Sequence, residues 1–242
     1  CQYDARDNLI VRQDDGKRAE YTYDDLSQLT TETTDGTSES YEHDSNYNCV
    51  ARNGQESNVN ALNELIADMS TSYQYDLNGN LIAKTCCCAT TRYEYDALDR
   101  LIRVVMPDRT EEMTYDPLGR RMRKVSHQNQ QIVDDEYYVY DDEDELGSFN
   151  EAGQPLQLRC LGRARHRGMA QCVVLELNGR LFVPVTDFQG NVRRLIDPAS
   201  KTVSGSYDYS AYGQQTNVVE VPGLFNPWRY GAKRFDAATQ MV

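Results

Sequence analysis

Apolar and polar residues alternate along most of the chain, and the alternation is broken at regular intervals by turn-forming residues. In residues 73–82, Tyr73 and Tyr75 flank one polar residue, and Asp76 with the run 78–80 then leads into a second apolar stretch. In a strand, alternate side chains share one face, so the two tyrosines lie on the same side. Asp, Asn and Gly favour a tight reversal. The segment therefore predicts a β-hairpin.

The hairpin pattern recurs at a fixed spacing. Aspartates lie at twenty-residue steps in two series, and each is preceded by Tyr except where His43 takes its place. A lone hairpin is marginal in water, so neighbouring units are expected to pair into an elongated or spiralling sheet. The residues that define the repeat, including the later Tyr-Asp pairs and two turn glycines, are Tyr3, Asp4, Tyr23, Asp24, Asp44, Tyr75, Asp76, Gly79, Tyr95, Asp96, Tyr115, Asp116, Gly119, Tyr140, Asp141, Tyr207 and Asp208.

The gap between the two series contains apolar residues at helical spacing, among them Leu62, Leu65 and Ile66. However, residues 59–66 align with residues 23–30 and place Asn60 where Asp belongs, sixteen residues from the aspartate on either side. Steps of twenty and sixteen are both even and therefore keep each side chain on its own face of a sheet. We predict a shortened, degenerate repeat near residues 57–72 and no helix.

The pattern divides the chain into three parts. Residues 1–141 are predicted to be tandem repeats. Residues 142–176 begin with acidic residues and contain several Gly and one Pro, and they are predicted to be an acidic linker and irregular segment. In residues 177–242 the sequence predicts strands that reverse at Asn178-Gly179 and at Gly190-Asn191.

Composition supports a mostly β fold and narrows the possible partners. Seventeen Tyr stand against five Phe and one Trp, and tyrosine suits strands that meet water or a partner. The net charge of −13 argues against nucleic acid as a partner. It also argues against binding to, or insertion into, an anionic membrane. No apolar stretch approaches the roughly 18 residues of a membrane span. The first residue is Cys1, with no signal peptide visible, so we expect an internal fragment.

No set of residues specifies an active site. Adjacent carboxylates such as Glu111-Glu112 could in principle act as a glycosidase pair, but solvated turn and edge positions explain them better. The basic cluster at Arg163, Arg165, His166 and Arg167 is interpreted as an exposed loop, and Trp228 as a packing anchor. We predict no enzyme activity, no cofactor and no catalytic residue.

The seven cysteines do not form a recognisable metal or disulfide pattern. The run Cys86–Cys88 follows a strand that starts at Leu81, so neighbouring sulfurs are expected to point to opposite sides of the sheet. That arrangement disfavours one three-thiolate metal site, and no metal site is predicted.

The successive segments YTYDDL, YQYDLNGNLI, YEYDALDRLIRV and MTYDPLGRR resemble the YD-repeat, or Rhs (rearrangement hot spot), family of bacteria, whose relatives include the shell of insecticidal toxin complexes and the teneurins of animals. The segments TDFQGNVRRLID, YDYSAYG and NPWRYGAKRFDAATQM are similar to the approach to the family's core-associated region, which residues 177–242 would begin. The resemblance covers nearly the whole chain.

The resemblance implies a β-sheet wound into a hollow shell, secreted or at the cell surface, that encloses a C-terminal toxin effector as cargo. The chain ends before the region in which the family carries its cleavage residues, so no catalytic position is carried over. The other repeats of the same full-length chain are the remaining expected partners. Two alternatives stay open: an extracellular adhesion scaffold whose tyrosines stack on cell-surface glycans, and a non-functional partial copy.

Overall fold

The structure, a computed structural model, describes the backbone of residues 1–14, 16–166 and 169–241 and the side chains of residues 1–13, 16–162 and 171–241. The regular secondary structure of the described residues is almost entirely β-strand, which confirms the mostly β prediction. They contain one short 3-10 turn, Tyr230–Ala232, and no helix long and apolar enough to span a membrane. The chain divides into two compact units, Cys1–Glu94 and Tyr95–Val242.

In the first unit each strand pairs antiparallel with the next one along the chain. The last strand ends one residue beyond the unit. The strands are β1 (Gln2–Tyr3), β2 (Leu9–Asp14), β3 (Lys17–Tyr23), β4 (Leu29–Thr34), β5 (Thr37–His43), β6 (Cys49–Arg52), β7 (Gln55–Val59), β8 (Leu65–Asp68), β9 (Thr71–Tyr75), β10 (Leu81–Cys86) and β11 (Ala89–Tyr95).

The second unit follows the same up-and-down order. Its strands are β12 (Leu101–Val105), β13 (Arg109–Tyr115), β14 (Arg121–Gln128), β15 (Gln131–Asp141), β16 (Asp144–Asn150), β17 (Pro155–His166), β18 (Met169–Leu177), β19 (Arg180–Thr186), β20 (Val192–Asp197), β21 (Thr202–Tyr209) and β22 (Gln215–Glu220).

Most strand connections are of two kinds, one at each end of a hairpin. At one end the turn has two residues, as at Asp35-Gly36, where both residues have positive φ angles of 50° and 84°. This geometry matches the twist of the strands that it joins. At the other end the strand register shifts just before a longer turn, as between Thr114 and Tyr115. We call this second kind the repeat turn.

Two predictions about local structure have different outcomes. The degenerate repeat is present: β7 and β8 flank a turn at Asn60, with no helix in the gap. The predicted linker over residues 142–176 is instead β16, β17 and β18. The acidic run that suggested a linker is the tip of a hairpin in which Asp141 lies opposite Asp144.

Burial alternates along the strands, as the sequence pattern requires. In the first unit, small residues and tyrosines fill the interior positions: Ala19, Tyr21, Tyr41, Ala51, Ala83 and Tyr93. The second unit has an apolar cluster made of Cys172, Leu175, Leu177, Phe182, Val192, Leu195, Tyr207, Tyr209 and Trp228.

The segment after β22 packs onto the second unit through buried ion pairs. The Lys124 ammonium lies 2.8 Å from Asp236, and Arg234 bonds to Glu145 at 2.8 Å and to Gln157 at 2.6 Å. Burial alone would raise the pKa of Asp236, but the charge and hydrogen bond of Lys124 hold it below its usual value. Breaking such a buried pair leaves an uncompensated charge, so these contacts fix the position of the segment.

Candidate functional site: repeat turns and inter-repeat tyrosines

The turn at Asp76 shows how one repeat reverses direction. One carboxylate oxygen of Asp76, Oδ1, accepts hydrogen bonds from the backbone N–H groups of Asn78 and Asn80, both at 2.9 Å. The Gly79 N–H donates to the Asp76 carbonyl at 3.2 Å, and Gly79 has a φ of 85°. Because L-residues rarely adopt this φ, the fourth position of the turn favours Gly, Asn or Asp.

The same bonds recur through the chain. Each turn has a polar residue at its first position whose side-chain oxygen accepts the N–H of the fifth residue. Aspartate does this at Asp4, Asp24, Asp44, Asp76, Asp96, Asp116 and Asp187, and another polar residue at Asn60, Asn150 and Ser210. The Asp residues of the repeat are therefore structural groups whose acceptor capacity is used inside the turn.

The fifth residue of the turn adds a second bond that differs among repeats. In the Asp76 turn, Asn80 donates its side-chain amide to the other carboxylate oxygen at 3.0 Å. In the Asp96 turn, Arg100 replaces Asn and donates from Nε to Asp96 at 2.7 Å. The arginine also donates from Nη1 to the carbonyl of Asp116, at the first position of the following turn, at 3.0 Å. Arginine at this position therefore links consecutive turns.

The tyrosine before the turn makes its main contact with the preceding repeat. The hydroxyl of Tyr115 donates to the carbonyl of Leu101 at 2.7 Å, five residues after Asp96. The contacts of this type are Tyr23 to Leu9, Tyr75 to Leu65, Tyr115 to Leu101, Tyr140 to Arg121 and Tyr209 to Val192. In every one of these contacts the acceptor lies five residues after the first residue of the preceding turn. We call these bonds the inter-repeat tyrosine contacts.

A second set of tyrosines, two residues before the first, fills the interior. Tyr41 and Tyr138 are buried, and their hydroxyls donate to Glu39 and Glu136, both at 2.7 Å. Burial raises the pKa of Tyr138 and is supported by the charge and hydrogen bond of Glu136, although the charges of Arg121 and Arg234 oppose the increase. These hydroxyls thus remain protonated donors at neutral pH.

Two of the predicted Tyr-Asp pairs do not form the standard turn. Tyr140 makes the inter-repeat contact, but Asp141 lies in a hairpin whose two-residue turn contains Asp142, with a φ of 56°. At the later pair, the repeat is offset by two residues: Tyr209 makes the tyrosine contact and Ser210 forms the turn. The sequence placed the pair at Tyr207 and Asp208, because the dipeptide is present there.

Asp208 has a different set of contacts. It is buried and accepts hydrogen bonds from Arg193 at 2.9 Å and from Asn217 at 3.2 Å. Sequence reasoning also did not assign Asp187 and Asn150 to repeat turns. The signal that identifies them is the spacing itself, in which a polar first residue is followed by Gly at the fourth position and Asn or Gln at the fifth.

The cysteine run occupies a hairpin tip and not a continuous strand. Cys86 ends β10, Cys87 has a φ of 56° in the two-residue turn, and the two sulfurs lie 3.7 Å apart. The expectation that the sulfurs alternate across a sheet was therefore wrong. Within the described residues, no three His, Cys, Asp or Glu side chains are placed to hold a metal ion. The basic cluster at residues 163–167 lies outside the described side chains.

Comparison with known proteins identifies the repeat. Residues 3–145 match the family model of the teneurin YD-shell. The crystal structure of TcdB2–TccC3 aligns with 98% of the chain at 16% identity and a TM-score of 0.53. The Tc holotoxin pore of Photorhabdus luminescens aligns with 98% of the chain at 12% identity and a TM-score of 0.46. At such identity, the first structure shows a shared fold alone.

The aligned region is a small part of each solved protein. The chain spans 16% of the TcdB2–TccC3 chain and 19% of the holotoxin chain. No curated protein matches it in sequence.

Proposed function

The chain belongs to the teneurin YD-shell family, and from this we propose that it is a wall segment of a secreted or surface-delivered β-shell that encloses a C-terminal toxin effector. The wall acts by excluding solvent and other proteins from the cargo, and no reaction is required of it. Its partners are the other repeats of the full-length polypeptide and the enclosed effector.

The observation that carries this proposal is the coupling of consecutive repeats. Each inter-repeat tyrosine contact ties a hairpin to the carbonyl of the preceding one, as Tyr75 does with Leu65 and Tyr115 with Leu101. Repeat arrays gain their stability from contacts between neighbours. A sheet built in this way extends by adding repeats and keeps its polar backbone groups paired, which is what a protective wall requires.

The side chains of the repeat support a wall better than a catalytic or ligand-binding surface. The turn aspartates use their oxygens inside the turn, so they are not arranged around a common substrate position. Other carboxylates are engaged as well: Glu111 of the Glu111-Glu112 pair is fully buried and accepts a hydrogen bond from Ser126, and Asp135 is paired with Arg123 at 2.6 Å.

Adhesion through tyrosines that stack on sugars receives less support. Stacking requires an exposed ring face, but Tyr21, Tyr41 and Tyr138 are buried, with 6%, 3% and 2% of their surface exposed. These interior tyrosines are therefore not available to stack on sugars, and we retain the shell as the better-supported function.

Limited proteolysis of the full-length native polypeptide tests the proposal. The polypeptide is captured from cells with an antibody against this segment, and its intact mass and both termini are determined. We expect a discrete C-terminal piece that co-purifies with the shell and resists protease, while the same piece expressed alone is degraded. A long, uncut chain whose C-terminal part is digested as fast as the isolated piece, together with specific binding on a glycan array, would instead support adhesion.

A further inference from the structure

Two cysteine thiols lie side by side at the tip of the hairpin that joins β10 and β11. The sulfurs of Cys86 and Cys87 are 3.7 Å apart, and both residues are free cysteines. Cys86 is the last residue of β10 and pairs across the hairpin with Ala89. The tip is a two-residue turn of the first unit, at the opposite end of β10 from the repeat turn at Asp76.

The geometry of this turn places the two sulfurs on the same side. In a continuous strand, the side chains of neighbouring residues point to opposite faces of the sheet. Cys87 instead has a φ of 56°, in the left-handed region, and its sulfur lies next to that of Cys86. The alternation that argued against a shared metal site is therefore absent between these two thiols.

The pair is poorly placed to form a disulfide with itself. The α-carbons of two cysteines joined by a disulfide usually lie about 4.4–6.8 Å apart. Cys86 and Cys87 are neighbours in the chain, and neighbouring α-carbons across a trans peptide are only about 3.8 Å apart. Closing the bond would strain the backbone, so both thiols stay available to bind one ligand together.

Solvent reaches the pair directly. Cys87 is exposed, and Cys86 is partly exposed. The hydroxyl oxygen of Ser70, in the turn before β9, lies 3.9 Å from the Cys86 sulfur. Hydrogen bonds of this kind orient the side chains that bind a metal ion. An ion can therefore enter from solvent and meet a ligand that is already held in place.

We propose that Cys86 and Cys87 together bind one Cu(I) ion. A first-row metal ion lies about 2.3 Å from a thiolate sulfur to which it is bound. Twice this length exceeds the 3.7 Å between the two sulfurs, so both can reach one ion placed between them. On binding, two S–H bonds are replaced by two copper–sulfur bonds, and the two protons pass to solvent.

The kind and number of the ligands select Cu(I) over other metal ions. Thiolate sulfur is a soft ligand, which favours Cu(I) and zinc over magnesium or calcium. Structural zinc sites are closed by four protein ligands, whereas Cu(I) is stable with two sulfurs. In the part of the chain that the structure describes, no third His, Cys, Asp or Glu is placed to complete a zinc site here. The pair therefore fits Cu(I).

Competition with bicinchoninate, a chelator whose Cu(I) complex is coloured, tests the proposal. The chain is fully reduced, and half an equivalent of Cu(I) is added without oxygen, so that the tightest site fills first. We expect the chain to withhold Cu(I) from the chelator. Cys86→Ser and Cys87→Ser should each weaken binding by more than about tenfold, because even the loss of a group that only supports a metal ligand costs about 10–100-fold.

Cys160→Ser is the matched control. Cys160 is an exposed thiol like Cys87, but it lies on β17 in the second unit, so its loss should leave the Cu(I) affinity unchanged. X-ray absorption at the copper edge gives an independent readout, and sulfur should be the nearest neighbour of copper in the unmodified chain.

The unmodified chain decides the question even if a variant fails to fold. A chain that yields all its Cu(I) to the chelator would overturn the proposal, and so would a copper spectrum without sulfur neighbours. An affinity that falls as much in Cys160→Ser as in Cys87→Ser would also overturn it. The result is independent of whether the shell encloses a toxin, since it concerns only one hairpin tip.

Discussion

The hydroxyl of Tyr115 donates a 2.7 Å hydrogen bond to the carbonyl of Leu101, which belongs to the preceding repeat. The carboxylate of the next residue, Asp116, accepts hydrogen bonds within the turn that Asp116 begins, from the N–H groups of Leu118 and Arg120, both at 2.9 Å. The two halves of the Tyr-Asp dipeptide therefore act in opposite directions along the chain. Aspartate shapes the turn that follows it, and tyrosine fixes the turn before it.

The conformation of Gly79 makes it sensitive to substitution. Its φ of 85° is disfavoured for residues with a branched side chain, so Gly79→Val should lower the free energy of unfolding by about 1–3 kcal/mol. Glu143→Ala serves as the control, because Glu143 is exposed and has an ordinary φ, and should change it by less than ~0.5 kcal/mol. Urea unfolding measures both, and equal losses would contradict the turn assignment.

Gly147 and Gly153 form a matched pair that separates backbone strain from close packing. Both have positive φ, but a Cβ on Gly147 would lie 2.1 Å from the Gln157 carbonyl oxygen, whereas one on Gly153 meets nothing within 4 Å. Gly147→Ala must push β16 and β17 apart and should lower the melting temperature well beyond the loss in Gly153→Ala. Similar melting temperatures for the two variants would show that the strands are not in close contact at this point.

The turn aspartates predict a loss of stability in acid. Hydrogen bonds from Asn80 lower the pKa of Asp76, and the bond from Arg100 lowers that of Asp96. A carboxyl whose pKa is lower in the folded than in the unfolded chain stabilises the fold at a pH above its pKa in the unfolded chain, about 3.9. This stabilisation is lost as the pH falls through the pKa of the folded chain. The urea concentration at the midpoint of unfolding should therefore decrease as the pH is lowered below about 4.

The acid prediction has an isosteric control. In Asp76→Asn/Asp96→Asn the side-chain oxygen still accepts the turn N–H groups, as Asn60 does in the degenerate repeat, but two titrating groups are removed. The double variant should lose less stability between pH 4 and pH 2.5 than the unmodified chain. An identical pH profile would show that these carboxylates do not contribute to the acid transition.

The cysteines should differ in their reaction with iodoacetamide. The hydrogen bond from Thr71, with those from Cys87 and Ser70, lowers the pKa of Cys86, whereas burial raises the pKa of Cys172 to about 11. Because the thiolate is the nucleophile, Cys86 should be alkylated early at pH 7.5 and Cys172 last. Peptide mapping by mass spectrometry gives the order, and denaturation in urea should remove the protection of Cys172.

Much of the repeat could be predicted from the sequence because its signals are local. Asp76, the glycine three residues later and the alternating tyrosines specify a hairpin within one unit, and the even spacing identified Asn60 as a turn residue. The direction of the tyrosine hydroxyl could not be predicted in this way. Its acceptor lies 10–19 residues earlier in the chain, and only the paired strands bring the two groups together.

The errors arose where composition suggested one structure and strand pairing produced another. The acidic run after Asp141 is typical of a linker, yet it forms a hairpin tip at which Asp142 and Glu143 are exposed, while Glu145 pairs with the buried side chain of Arg234. At Tyr207-Asp208 the dipeptide was present two residues out of register, and the buried contact of Asp208 with Arg193 gave no signal in the sequence.

Hydrogen exchange in Tyr115→Phe tests most directly the claim that tyrosine couples each repeat to the one before it. Phe keeps the ring and its contact with Arg100, whose guanidinium carbon lies 5.2 Å from the centroid, and removes only the hydroxyl. We expect a loss of about 1 kcal/mol and faster amide exchange in residues 96–104, with little change in the control Tyr3→Phe, whose side chain is half exposed. Faster exchange confined to residues 115–121, or none at all, would contradict the account.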